Sequence, residues 1–477
     1  MGLACGPHGI KAWTKQTFPN CLRDFPTLAS CVQATGHQTK QVVAIMDGNV
    51  LVNQLPMSVT TFDGYVTVFS GFLRQAFQAA DTVFVVWDEP RKVTRAKLEE
   101  QRKRDQARRK SVPLMSTDLA AALSPDTDNF GIDVIEACNP HSLLANRAAR
   151  PRFWDALCKR SMGLMSEKPM ASKVLLFDGI DCRGADRPYD EKREPGMFSN
   201  EDRIETLMER PPTHPFGEGD LKMTDLESEL QDLRNTGRAF TDVELVLICT
   251  VDTDSIAIEL MQEAVKVAAA AASQDQESDA GKHLKTLLCF RETSRKRKEG
   301  DDEPTHSVSM HACIDLQILY NEISAELEID AGLGRHAIAL LAAGWALCGC
   351  DFVHLKGIRS DVVWSSMKLL CKREKSTLER MDSIYSLSST DDDDAVSHGR
   401  RLITGAVSRL AELCTDELSE MPRMQRACAS AREALGPLSK FAVVGQPPCT
   451  EVLKAAWTTL YWSGLERTDL TEWGFDS

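Results

Sequence analysis

The chain has 477 residues, with 56 Lys and Arg against 70 Asp and Glu, a formal charge of −14, and 43% apolar residues. That apolar fraction rules out disorder along the whole chain, and the acidic balance argues against a surface built throughout for nucleic acid, which would be basic. No run of about 18 apolar residues offers a membrane span, the N-terminus lacks a charged segment leading into an apolar one, so no secretory leader is expected, and 15 Cys without one Cys-x-x-Cys spacing read as reduced, mostly buried thiols of an intracellular protein.

The first apolar run, Val42-Val-Ala-Ile-Met-Asp47, predicts a buried strand ending in an acid. Helical periodicity follows over 61–80, and then a second such strand, Val83-Phe-Val-Val-Trp-Asp88. Residues 91–110 hold ten basic and three acidic residues, a net +7. A polar, Pro-rich stretch at 183–216 reads as an insertion. A helix is predicted over 218–234, opened by Gly217-Glu218-Gly219-Asp220. The third strand is Leu245-Val-Leu-Ile-Cys-Thr-Val-Asp252-Thr-Asp254. A second insertion is expected at about 268–305, where an Ala run gives way to acidic and then mixed-charge residues. An apolar helix at roughly 336–348 stops at Gly349, with Asp351 just beyond.

These elements predict an α/β fold: a mostly parallel sheet flanked by helices, with long insertions and a helical C-terminal part. Residues 1–380 are expected to form one such domain, 381–398 an acidic linker, and 399–477 a helical segment packing on the domain.

Three strands ending in Asp place Asp47, Asp88, Asp252 and Asp254 where open α/β sheets form their ligand sites. Glu218, Asp220 and Asp351 bring the set to seven carboxylates. Seven acids drawn together need cations to offset their repulsion. Oxygen-only ligands suit Mg²⁺ or Mn²⁺ rather than zinc. Two such ions about 4 Å apart form the arrangement that hydrolyses phosphodiesters. On a helix, Lys97, Gln101, Arg104 and Arg108 fall in one stripe, which beside Asp88 is placed to hold substrate phosphates.

The motifs, taken in order, resemble the XRN-type 5′→3′ exoribonucleases, a branch of the flap-endonuclease-like, PIN-type nucleases. The resemblance rests on Gly9-Ile-Lys-Ala-Trp13…Phe18-Pro19, Asp47-Gly-Asn49-Val-Leu-Val-Asn53, Arg95-Ala-Lys97-Leu-Glu-Glu-Gln101-Arg102-Lys-Arg104, Gly217-Glu-Gly-Asp-Leu-Lys222-Met223, Asp252-Thr-Asp254, Gly349-Cys-Asp351-Phe352 and Trp457-Thr-Thr-Leu-Tyr461-Trp-Ser-Gly464. It implies that the seven carboxylates bind two Mg²⁺. It also implies that Lys97, Gln101 and Arg104 form a pocket for a 5′-monophosphate, and that Arg102, Asn53, Lys222 and Trp457 are placed to contact substrate.

Two positions depart from the family pattern. Asp105 stands where the phosphate pocket has a second Arg, and Asn53 where a stacking His is usual. The helix–hairpin–helix that grips duplex DNA in flap enzymes has no counterpart after Asp351 in Leu355-Lys-Gly-Ile-Arg-Ser360. The expected function is therefore a Mg²⁺-dependent 5′→3′ exoribonuclease degrading single-stranded RNA. The alternatives are a structure-specific DNA nuclease and an inactive RNA-binding protein on a nuclease fold.

Overall fold

A computed structural model describes residues 10–54, 56–88, 135–146, 149–180, 196–208, 219–253, 255–273, 283–295, 307–329 and 360–373, with scattered positions between 334 and 345 and at 106, 375 and 410. The chain divides into two compact units. One combines 1–23, 252–288 and 314–477; the other combines 24–251 and 289–313.

The second unit is organised by the sheet. Its strands are β1 (Leu22–Phe25), β2 (Val42–Asp47), β3 (Thr82–Val86), β4 (Val174–Ile180), β5 (Gly196–Ser199), β6 (Leu245–Thr250), β7 (Lys285–Arg295) and β8 (Ser307–Asp315), in the order β1-β8-β7-β6-β2-β3-β4-β5. The unit boundaries fall inside β1, β7 and β8. β6, β2, β3 and β4 run parallel, with Ala44 opposite both Leu247 and Val83, and Val83 opposite Leu175. Val43, Ala44, Ile45, Val83, Phe84, Leu175, Leu176, Val246 and Leu247 are fully buried, so both faces of the central strands are covered. Strand-forming runs without polar alternation are what this double burial demands.

The sheet is mixed, where a mostly parallel one was expected. β5 pairs antiparallel with β4, matching Phe177 to Phe198 and Asp178 to Met197. It comes from the stretch 183–216 that polarity and proline content marked as an insertion. An antiparallel neighbour needs no crossover helix, so a short apolar Met-Phe pair inside a polar stretch is enough to build it. β7 likewise falls within 268–305.

The helices of this unit are α2 (Leu28–Thr35), α3 (Gly48–Asn53), α4 (Phe62–Ala79), α5 (Pro140–Ala145), α6 (Arg150–Ser161), α7 (Asp202–Met208) and α8 (Gly219–Asn235). α1 (Ile10–Thr17), α9 (Ser255–Ser273), α10 (Leu316–Glu326) and α11 (Ser360–Arg373) belong to the first unit. α4 opens on Thr61, whose hydroxyl accepts from the Gly64 amide, and buries Tyr65, Phe69, Leu73, Ala76 and Phe77 on one stripe. α8 is buried nearly all round, its charged positions included. Both α4 and α8 pack against β2 and β3.

Within the first unit, Trp13 of α1 meets Trp345 at 5.1 Å and Trp364 of α11 at 5.3 Å, both edge to face. Phe18 joins the same cluster. The described positions of the apolar 336–348 segment are helical and buried. Of the 399–477 segment only Leu410 is described, and the 381–398 linker lies outside the described residues. Among the described residues no helix is long and apolar enough to cross a membrane.

Candidate functional site

β2 ends on Asp47, and the chain turns there directly into α3. The turn is made by the Asp47 side chain, whose Oδ1 accepts from the Asn49 amide at 2.8 Å and the Val50 amide at 3.2 Å. Asp47 is thus both a strand end and a helix cap. It is only 8% exposed.

Next to it in the sheet, β3 leads through Trp87 to Asp88. Trp87 is fully buried and stacks on Trp154 of α6 with ring centroids 4.9 Å apart. Asp88, partly buried, accepts the Gly219 amide on Oδ1 at 2.7 Å. That amide is the first of α8, one of the helix's own unsatisfied donors, so the Asp88 carboxylate sits on the positive end of the helix dipole.

Gly219 is where the carboxylates converge. A Cβ built on it would stand 3.1 Å from Asp88 Oδ1 and 3.9 Å from Asp47 Oδ1. Asp220, the next residue, is 9% exposed in the same first turn. Two neighbouring parallel strands and one helix N-terminus therefore bring three acids to one end of the sheet.

Below Asp88 lies an ionic network. Lys222, one helical turn into α8, is 3% exposed. Its ammonium donates to the Trp87 carbonyl at 3.0 Å and lies 4.0 Å from Asp178 Oδ1 of β4. The Trp87 amide in turn donates to the Asp178 carbonyl at 2.9 Å. Gly179 makes this possible. Its φ is +83°, and a Cβ there would stand 2.6 Å from the Trp87 carbonyl oxygen and 2.7 Å from Lys222 Nζ. The peptide that carries Asp88 is therefore held from below by Lys222, Asp178 and a glycine that leaves room for both.

Asp178 is a residue the sequence reading passes over. Val174-Leu-Leu-Phe-Asp178 has the same signature as the other three runs, an apolar β segment ending in an acid. The signal was present, on the strand adjacent to β3. Lys222, expected at the substrate, points to interior partners instead.

The remaining expected residues are distributed as follows. Asn53 is exposed at the last position of α3. Asp252 is partly exposed two residues past the end of β6 and opens a segment of the first unit. Glu218, Asp254, Asp351, Lys97, Gln101, Arg102, Arg104 and Trp457 lie outside the described residues. So the described geometry brings Asp47 and Asp88 to Gly219, with Asp220 next to it in the chain, and adds Asp178 with Lys222 behind Asp88.

Asp47 and Asp88 each keep one carboxylate oxygen that the Asn49, Val50 and Gly219 amides do not take, and oxygen donors are the kind a hard divalent cation such as Mg²⁺ binds. The bare Cα of Gly219 leaves a cradle between Asp47 and Asp88 that any side chain would fill. No model of a known protein family matches the chain, and no curated protein matches it significantly.

Proposed function

We propose that the chain is a Mg²⁺-dependent 5′→3′ exoribonuclease that hydrolyses single-stranded RNA from a 5′-monophosphate end. One observation carries this reading: Asp47 and Asp88, from adjacent parallel strands, converge on the Gly219 backbone at the N-terminus of α8. The PIN-type identity of the sheet belongs to the same proposal.

Asp47, Asp88 and Asp220 are the described residues of the second unit that would hold Mg²⁺. Bound there, Mg²⁺ would supply Lewis-acid stabilisation of the charge that builds up on a phosphodiester. The protein's own part is positional. The Asp47 cap fixes one carboxylate by two amides, and the Gly219 amide fixes the other. Lys222 and Asp178 hold the Asp88 peptide in place from below. The α8 N-terminus adds a fixed positive potential where a phosphate's negative charge would lie. The cationic 91–110 segment follows Asp88 directly in the chain and would contact the substrate backbone through Lys97, Gln101, Arg102 and Arg104.

The test is digestion of single-stranded RNA labelled at either end, with a 5′-phosphate or a 5′-hydroxyl, in Mg²⁺ or with chelator. The expected result is Mg²⁺-dependent release of mononucleotides from the phosphorylated 5′ end. Equal cleavage of matched DNA would move the assignment to a DNA nuclease. RNA binding without cleavage would move it to an inactive RNA-binding protein.

A further inference from the structure

No disulfide joins the described cysteines, and all but Cys249 are buried. Four of them meet. Cys249 of β6, Cys289 of β7 and Cys313 of β8 come from three successive strands of the sheet, and Cys31 comes from α2. The sulfurs of Cys31, Cys289 and Cys313 all lie within 4.8 Å of one another. Cys313 Sγ is 3.3 Å from Cys289 Sγ. Cys289 also shares hydrogen bonds with Cys31 and Cys249.

Isolated buried cysteines are ordinary small hydrophobes. Four from four separate elements, pointed at one another, are not explained by packing. Tetrahedral zinc with Zn–S bonds of about 2.3 Å sets its sulfurs about 3.8 Å apart. The cluster needs to open by only about half an ångström at its closest pair to reach that spacing.

The surroundings fit the charge. Arg291 and Cys289 line a common cavity of about 30 Å³, together with Cys249 and His311. Arg291 also lies over the Phe72 ring, 4.5 Å from its centroid. Three or four thiolates around Zn²⁺ carry a net charge of −1 or −2, and a guanidinium in the same cavity offsets part of it. Without an ion, hydrogen bonds among the sulfurs, chiefly that to Cys249, and burial hold the Cys289 thiol well above its ordinary range.

The geometry points to a structural zinc site in which Cys31, Cys289 and Cys313 are ligands and Cys249 supplies the fourth sulfur. This site is separate from the carboxylates: its donors are soft sulfur, and theirs is hard oxygen.

The experiment is Co²⁺ titration of the full chain, purified metal-free with its thiols reduced. The expected result is a thiolate-to-cobalt charge-transfer band and tetrahedral d–d absorption that saturate at one equivalent and disappear on adding Zn²⁺. Cys289→Ser and Cys313→Ser should lose the band, while Cys138→Ser and an Asp47→Asn/Asp88→Asn double variant should keep it. No band in the wild-type chain, or a band that survives Cys313→Ser, overturns the assignment. So does a Cys289–Cys313 disulfide in peptide maps of freshly purified protein. If the serine variants do not fold, zinc-edge X-ray absorption on the wild-type chain decides. A sulfur shell at about 2.3 Å supports the site, and a shell of oxygen or nitrogen alone overturns it. Because the nuclease test uses other residues and another metal, either reading can fail without the other.

Discussion

Two regions of one sheet gather ligands of opposite character. At the carboxyl ends of β2, β3 and β4 stand Asp47, Asp88 and Asp178; on β6, β7 and β8 stand Cys249, Cys289 and Cys313. They begin side by side, since Met46 and Cys249 are partners in the β2–β6 register. The first region sets carboxylates beside a glycine and a helix terminus, the hard oxygen donors that the proposed Mg²⁺ would take. The second gathers sulfur, three of its four thiols buried, as a permanent structural ion requires. The comparison teaches that donor chemistry and burial vary together across a few ångströms of the same scaffold.

The largest expected effect breaks the first region alone. Asp47→Asn keeps the cap on α3, because Asn serves there as well as Asp, and removes only the charge. Asp88→Asn keeps an oxygen for the Gly219 amide. Each change should lower RNA hydrolysis by about 10³-fold, the loss of several kcal/mol of cation-based stabilisation. Circular dichroism and melting temperature should stay near wild type. Activity equal to wild type in both variants would remove these residues from the site.

Lys222→Met separates the two roles open to that lysine. Substituting it leaves Asp178 buried without its nearest cation, and removing one partner of a buried pair costs about 3 kcal/mol or more. Urea unfolding should show that loss, and a Lys222→Met/Asp178→Leu double variant should recover part of it. If Lys222 instead contacted RNA, the single variant would raise KM and leave the unfolding midpoint unchanged.

Gly219→Ala is gentler. The new methyl would stand 3.1 Å from Asp88 Oδ1, tighter than a carboxylate tolerates without shifting. A displacement of a few tenths of an ångström should reduce kcat by about tenfold, roughly 1.4 kcal/mol in the barrier. Stability should hold, because Ala is a better helix former than Gly. Steady-state kinetics beside a thermal melt reads both.

Much of the first region was legible in the chain. β2 occupies Val42–Asp47 as the apolar run predicts, and β6 begins at Leu245. Asp47, Asp88 and Asp220 were marked by their positions after strands or at a helix start, because a strand end is a local feature. The inward turn of Lys222 was not legible: charge at the fourth position of a helix reads as solvent-facing unless the whole helix is known to be buried. The thiols were illegible for a different reason. Cys31, Cys249, Cys289 and Cys313 stand in four elements, with no short spacing to join them. Only the sheet order, which places β6, β7 and β8 side by side, makes them neighbours. Metal ligands on one hairpin announce themselves; ligands collected by long-range strand pairing do not.

The smallest expected effect tests whether the two regions are independent. α3, which Asp47 caps, also lines the cavity beside Cys249 through Val50 and Leu51. If the cation site depended on that contact, disturbing the thiols would move Asp47. Cys313, however, is two strands from β6 and is not itself among the residues lining that cavity. Cys313→Ser should therefore change Mg²⁺-dependent hydrolysis by no more than about twofold, the coupling expected of sites without shared partners, while abolishing the cobalt–thiolate band. A loss of activity approaching that of Asp88→Asn would mean that the cysteines set the position of the carboxylates, and that sulfur and oxygen serve one site.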